Sequence, residues 1–128
     1  MGKYGSAAVM AAKLYQEGSA SSPNKAWELA VTNTFPSSKS SQAKGCPRGA
    51  FLGLCESGAV LGIPEGNYSR SQKNKTYALK ALALIKAEPG LSLDEQVLWA
   101  RVMEGEVKVP NHQMDVVSSL WNAGLVCG

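Results

Sequence analysis

Between Gly45 and Lys75 the chain reads GCPRGAFLGLCESGAVLGIPEGNYSRSQKNK, and this run constrains the fold more than any other. Glycines fall at 45, 49, 53, 58, 62 and 66, prolines at 47 and 64, and two of the three cysteines at 46 and 55. Glycine opens conformations and close approaches that a Cβ forbids, whereas proline fixes φ and removes a donor. Few backbone paths satisfy so many such residues. The segment is either a binding surface or a demanding corner of the fold.

Around it, apolar residues recur at i, i+3 and i+4, the period of an amphipathic helix. The first helix spans about residues 3–17, with Tyr4, Ala7, Ala8, Ala11, Leu14 and Tyr15 on one face and Gly18 as its stop. The second has Ser22 as N-cap and Pro23 at its first position, and it buries Trp27, Ala30 and Val31 before ending at Phe35-Pro36. Residues 36–45 read as a polar loop. A third helix starts at Pro47 and ends at Gly58, presenting Phe51, Leu52, Leu54 and Cys55. The fourth, over about residues 70–87, is apolar around much of its circumference and should sit centrally. Ser92-Leu93-Asp94-Glu95 has the pattern of a capping box for the fifth, which carries Val97, Leu98, Trp99 and Val102. The sixth follows Pro110, with Asn111 as expected cap, and turns Val116, Val117, Leu120 and Trp121 inward. Extended backbone is expected only at 59–63 and 106–109. The expected fold is all-α: one compact domain over residues 1–128, a bundle of about six short helices.

One echo runs through the chain. LCESGAVLG at 54–62 aligns with LWNAGLVCG at 120–128, each a helix ending in a left-handed glycine followed by an apolar residue. It signals either two related three-helix halves or convergent capping.

A chain of 128 residues can bury about two-thirds of its unfolded surface without disulfides or metals. No apolar run approaches the ~20 residues of a membrane helix, so no membrane partner is expected. The apolar N-terminal stretch is broken by Lys13, Gln16 and Glu17, which favours a helix of the mature fold over a signal peptide. An odd number of cysteines argues against a disulfide framework and for the reducing cytoplasm. Charge is uneven. Residues 1–86 carry eleven Lys/Arg and four Glu, whereas residues 87–128 carry two Lys/Arg and six Asp/Glu. Such halves mark a polyanion surface or complement each other within the fold.

Functional candidates gather in the constrained segment. Arg48 falls in the first turn of the third helix and Arg70 near the start of the fourth, where helix ends favour an anion. With Cys46, Gly49, Gly66, Asn67 and Tyr68 they form the expected ligand-binding surface. The wider cluster of Lys39, Lys44, Arg48, Arg70, Lys73, Lys75 and Lys80 offers a nucleic-acid alternative. Leu120-x-x-x-Gly124-Leu125-Val126 resembles the close of a winged helix-turn-helix recognition helix over about a dozen residues. Residues 112–123, however, contain no Lys or Arg to meet phosphates or base edges. Cys46, beside Pro47 and Arg48, is the one candidate nucleophile, and the sole histidine, His112, is remote in sequence. One histidine and three scattered cysteines supply no paired ligand spacing, so neither metal nor cofactor is expected.

The run at 40–56, SSQAKGCPRGAFLGLCE, together with GIPEGNY at 62–68 and QMDVV at 113–117, resembles an uncharacterised family of small bacterial proteins, with its signature around 45–68. That resemblance implies no activity. The functional expectation is a non-enzymatic binding or interaction domain whose partner is a small anion or a protein. A nucleic-acid-associated role is the alternative and a cysteine enzyme using Cys46 the least favoured. Trp27, Trp99, Trp121, Phe35 and Phe51 also leave room for a homodimer interface.

Overall fold

The computed structural model describes residues 2–127. The elements run α1 (Lys3–Gln16), α2 (Pro23–Thr34), a four-residue turn α3 (Lys39–Gln42), α4 (Gly45–Glu56), α5 (Gln72–Ala87), a 3-10 turn (Pro89–Leu93), α6 (Glu95–Met103) and α7 (Gln113–Asn122). The fold is an all-α bundle of six longer helices, and among the described residues no helix is long and apolar enough to cross a membrane.

Local signals place most boundaries. Ser22 accepts from the Lys25 N–H at 3.0 Å with Pro23 in the first position of α2, and Gly18 turns left-handed after α1 at φ 77°. Four expectations need correction. Residues 36–45 are not all loop, because Ser38 caps α3 through the Ser41 N–H. Helix α4 begins at Gly45 rather than Pro47, since a proline in the first turn gives up only an N–H that the helix cannot use. Asp94, not Ser92, caps α6: its carboxylate accepts from the Val97 N–H at 3.1 Å, while the Ser92 hydroxyl donates to the Pro89 carbonyl inside the 3-10 turn. At α7 the cap position belongs to His112, in left-handed backbone at φ 68°, and not to Asn111.

The central helix is α7 rather than α5. Every residue from Gln113 to Leu120 is buried, because α7 packs against α1, α4, α5, α6 and the 3-10 turn. On α5, Tyr77, Leu79 and Leu84 remain half-exposed although Ala78, Ala81, Leu82 and Ile85 are buried. Trp27 of α2 stacks on Phe51 of α4 with ring centroids 5.3 Å apart. Trp27, Phe51 and Trp99 are core residues, and Phe35 and Trp121 pack on that core half-buried.

Two glycines let α4 and α5 touch through their backbones. A Cβ at Gly53 would stand 2.6 Å from the Lys75 Cα, and one at Gly49 would stand 2.9 Å from the Asn74 Cβ. Both distances are closer than real side chains come, so the crossing requires glycine at both sites.

The sequence echo has a local structural counterpart. Gly58 and Gly124 are left-handed at φ 78° and 72°, and the next residues bond back identically, Ala59 N to Leu54 O and Leu125 N to Leu120 O, each at 3.0 Å. The two tails then pair: Leu61 N donates to Leu125 O and Cys127 N to Ala59 O, both at 2.9 Å, about an antiparallel bridge between Val60 and Val126. Matching ends thus meet their equivalents at the two tails.

Candidate functional site

Residues 57–71 carry the chain from the end of α4 to the start of α5, and one carboxylate fixes their course. Glu56, the last residue of α4, is only 9 % exposed. Its Oε1 accepts from the backbone N–H groups of Tyr68 at 2.8 Å and Ser69 at 2.9 Å, and its Oε2 accepts from Lys75 Nζ at 2.7 Å. An acidic residue at a helix C-terminus opposes the helix dipole, so this placement needs compensating donors. The Lys75 ammonium above all, then the Ser69 amide, holds the Glu56 carboxyl down at about 2 against the cost of its burial.

The loop is then closed from within. The Tyr68 hydroxyl donates to the Pro64 carbonyl at 2.7 Å, and the ring folds over Gly66 so closely that a Cβ there would lie 2.6 Å from it. From α2, the Asn24 amide donates to the Tyr68 carbonyl at 3.0 Å. Ser71 caps α5, its Oγ accepting from the Asn74 N–H at 3.2 Å and the Asn74 side-chain amide at 2.9 Å. Asn74 in turn accepts from Gln113 of α7 at 3.3 Å, tying the loop to the central helix.

Between α4 and this loop lies a cleft of about 160 Å³. Arg48, Gly49 and Leu52 form one wall, and Tyr68, Ser69, Arg70 and Ser71 form the other, with Gly45 at its edge. Both arginines are exposed. The ion pairs among the described residues are Lys75–Glu56, Lys80–Glu104 and Arg101–Glu88, so neither Arg48 nor Arg70 has a carboxylate of its own. Planar guanidinium groups with free donors are suited to bidentate capture of carboxylate or phosphate oxygens.

Of the residues singled out from sequence, Arg48, Gly49, Tyr68 and Arg70 line the cleft together. Cys46, half-buried as the second residue of α4, and the exposed Gly66 and Asn67 do not line it. Arg70 precedes α5 by two residues instead of belonging to its first turn, because Ser71 takes the cap. Of the two helix starts expected to favour an anion, that of α5 is already capped by Ser71, whereas no side chain caps α4.

The wider lysine cluster is partly consumed inside the fold. Lys75 is held by Glu56, Lys80 pairs with Glu104, and Lys44 reaches the Asn111 side chain at 3.4 Å. Lys73 lies beside Lys108 of the 104–112 connection, and Lys39 sits on α3. Among the described residues no hydrogen bond joins Cys46 to His112, whose ring packs on Tyr4 with centroids 4.7 Å apart. Cys55 is fully buried and its thiol is pushed up by that burial. No group of three or more His, Cys, Asp or Glu among the described residues could hold a metal ion. The sequence reading missed Glu56, Ser69 and Ser71. Only the acid at a helix C-terminus offered a signal for the first.

Comparison with curated proteins and with solved structures gives no match. A family of unknown function (DUF6979) matches residues 1–127, and the chain belongs to that family.

Proposed function

We propose that this protein is a non-enzymatic binding domain that holds a small anion, or the anionic group of a larger partner, between Arg48 and Arg70. One observation carries the reading: two exposed guanidinium groups without a carboxylate partner line one cleft of about 160 Å³. Such a pair would keep its charge at any physiological pH and offer several N–H donors to one anion. Ser69 and Ser71 line the same cleft, and the uncapped start of α4 adds a favourable dipole beside it. The nucleic-acid alternative has less support, because Lys75 and Lys80 are engaged by Glu56 and Glu104.

Isothermal titration with inorganic phosphate at low ionic strength tests the proposal. Two charge-assisted contacts, less the cost of ordering them, predict a dissociation constant of about 1 mM. The Arg48→Ala/Arg70→Ala variant should retain its helical circular dichroism and lose the binding heat. Equal phosphate affinity in that variant removes the cleft as the site. Labelled RNA and DNA in the same buffers, bound with a salt slope of several units, would favour the wider cluster instead.

A further inference from the structure

In the connection from α6 to α7, residues 106–110 (EVKVP) run without helix, turn or bridge. They carry the two most exposed large apolar side chains among the described residues, Val107, fully exposed, and Val109, 85 % exposed. A single exposed valine is ordinary on a protein surface. Two at alternate positions of one segment make an apolar face, because side chains two apart on a strand point the same way.

The backbone alternates in the same way. The Glu106 N–H donates to the Met103 carbonyl at 3.1 Å, and the Lys108 carbonyl accepts from the Trp99 indole N–H at 2.8 Å. The N–H and C=O groups of Val107 and Val109 make no hydrogen bond among the described residues. In extended backbone successive residues turn these groups to opposite sides. Glu106 and Lys108 thus turn theirs to the body of the protein, and Val107 and Val109 turn theirs away. The Lys108 ammonium donates to the Tyr77 hydroxyl at 2.9 Å and stands 5.3 Å from the centroid of that ring. Trp99 and Tyr77 therefore hold the segment from one side, and its other side is a free strand edge.

We propose that this edge joins two copies of the chain, paired antiparallel about a two-fold axis at Val107. Charge selects the register. With Val107 opposite its own copy and exchanging both N–H···O bonds, Glu106 of each chain faces the partner's Lys108. Neither residue has an ion pair of its own among the described residues. The next register that keeps the same edge in contact sets Lys108 against the partner's Lys108, and like charges directly opposite are unfavourable. On the other face, the valines at 107 and 109 of both chains cover one another and leave water. Pro110 lacks an N–H and ends the edge after Val109. The opposite edge is occupied by Met103 and Trp99, so pairing closes at two copies and does not extend into a fibre. So short an edge makes a small, reversible interface, and it shares no residue with the arginine cleft.

Sedimentation velocity from about 10 μM to about 1 mM, the range of a small transient interface, tests the proposal. The unmodified chain should show a monomer–dimer equilibrium, and ¹⁵N spectra over the same range should shift chiefly at the Val107 and Val109 amides. Glu106→Lys and Lys108→Glu each set like charges across the axis twice and should each weaken the dimer about tenfold or more. Both positions are exposed, so the variants should keep their helical circular dichroism. Mixed in equal amounts, the two variants should associate as the unmodified chain does, since each meets opposite charges in the other. An unmodified chain that stays monomeric to about 1 mM would overturn the proposal and leave the edge to water or to another protein. Association with shifts confined to other residues, undiminished dimerisation of either variant, or a mixture no stronger than the separate variants would overturn it equally.

Discussion

Glu56→Gln preserves the shape of the loop anchor and removes its charge, so it isolates what the carboxylate contributes. In the folded protein the group titrates at about 2 instead of the usual 4.5. At about 1.4 kcal/mol per pH unit that difference corresponds to on the order of 3 kcal/mol as an upper bound. Lys75, its largest source, has a side chain 23 % exposed and partly screened by solvent, which brings the expected loss nearer 1–2 kcal/mol. For a domain of this size that is a fall in Tm of about 4–8 °C. Because the folded value lies below the unfolded one, the stabilisation is complete above about pH 4.5 and lost as pH falls towards 2. Thermal unfolding of both proteins from pH 7 to pH 2.5 should therefore give two curves that converge at the acid end. Hydrogen exchange should also speed up at the Tyr68 and Ser69 amides, which donate to this carboxylate. A Tm difference that stays constant across that range, or is absent at pH 7, would refute the assignment of Glu56 as the loop anchor.

Three further changes probe the frame of the fold. Gly53→Ala sets a Cβ 2.6 Å from the Lys75 backbone, and denaturant unfolding should show a net loss of about 1–2 kcal/mol, overpacking exceeding the gain in helix propensity. Gly45→Ala, where a Cβ meets nothing within 4 Å, should be neutral or slightly stabilising in the same assay. Asp94→Ala removes the cap on the Val97 N–H, and thermal unfolding should report a loss of about 1 kcal/mol.

What the sequence made legible was local. Ser22-Pro23 and Gly18 act on N–H and C=O groups within one turn of themselves, and both did what their chemistry dictates. Ser92 and Asp94 are both good caps, and the choice between them depended on the 3-10 turn that Pro89 opens, which draws the Ser92 hydroxyl to the Pro89 carbonyl and the Asn122 side chain. Arg48 and Arg70 could be grouped from their proximity to helix starts, but not the role of Glu56, whose donors lie 12, 13 and 19 residues further along the chain. The prominence of α7 over α5 was hidden for a similar reason. An apolar circumference records how much surface a helix could bury, whereas its neighbours decide how much it does bury.

Glu56 also decides how an anion would have to be recognised in the cleft. A glycine-rich loop before a helix suggests capture by backbone amides, as in phosphate-binding nests. Here the amides of Tyr68 and Ser69 are already occupied by an internal carboxylate, and Ser71 occupies the start of α5. The guanidinium groups are the charged donors left free on this wall. Recognition would then rest chiefly on the Arg48 and Arg70 forks, with the uncapped start of α4 adding a favourable dipole. Arg→Lys exchange should consequently be poorly tolerated, since an ammonium keeps the charge but not the bidentate geometry. A lysine pair that binds phosphate as well as the arginines do would mean that the cleft senses charge alone.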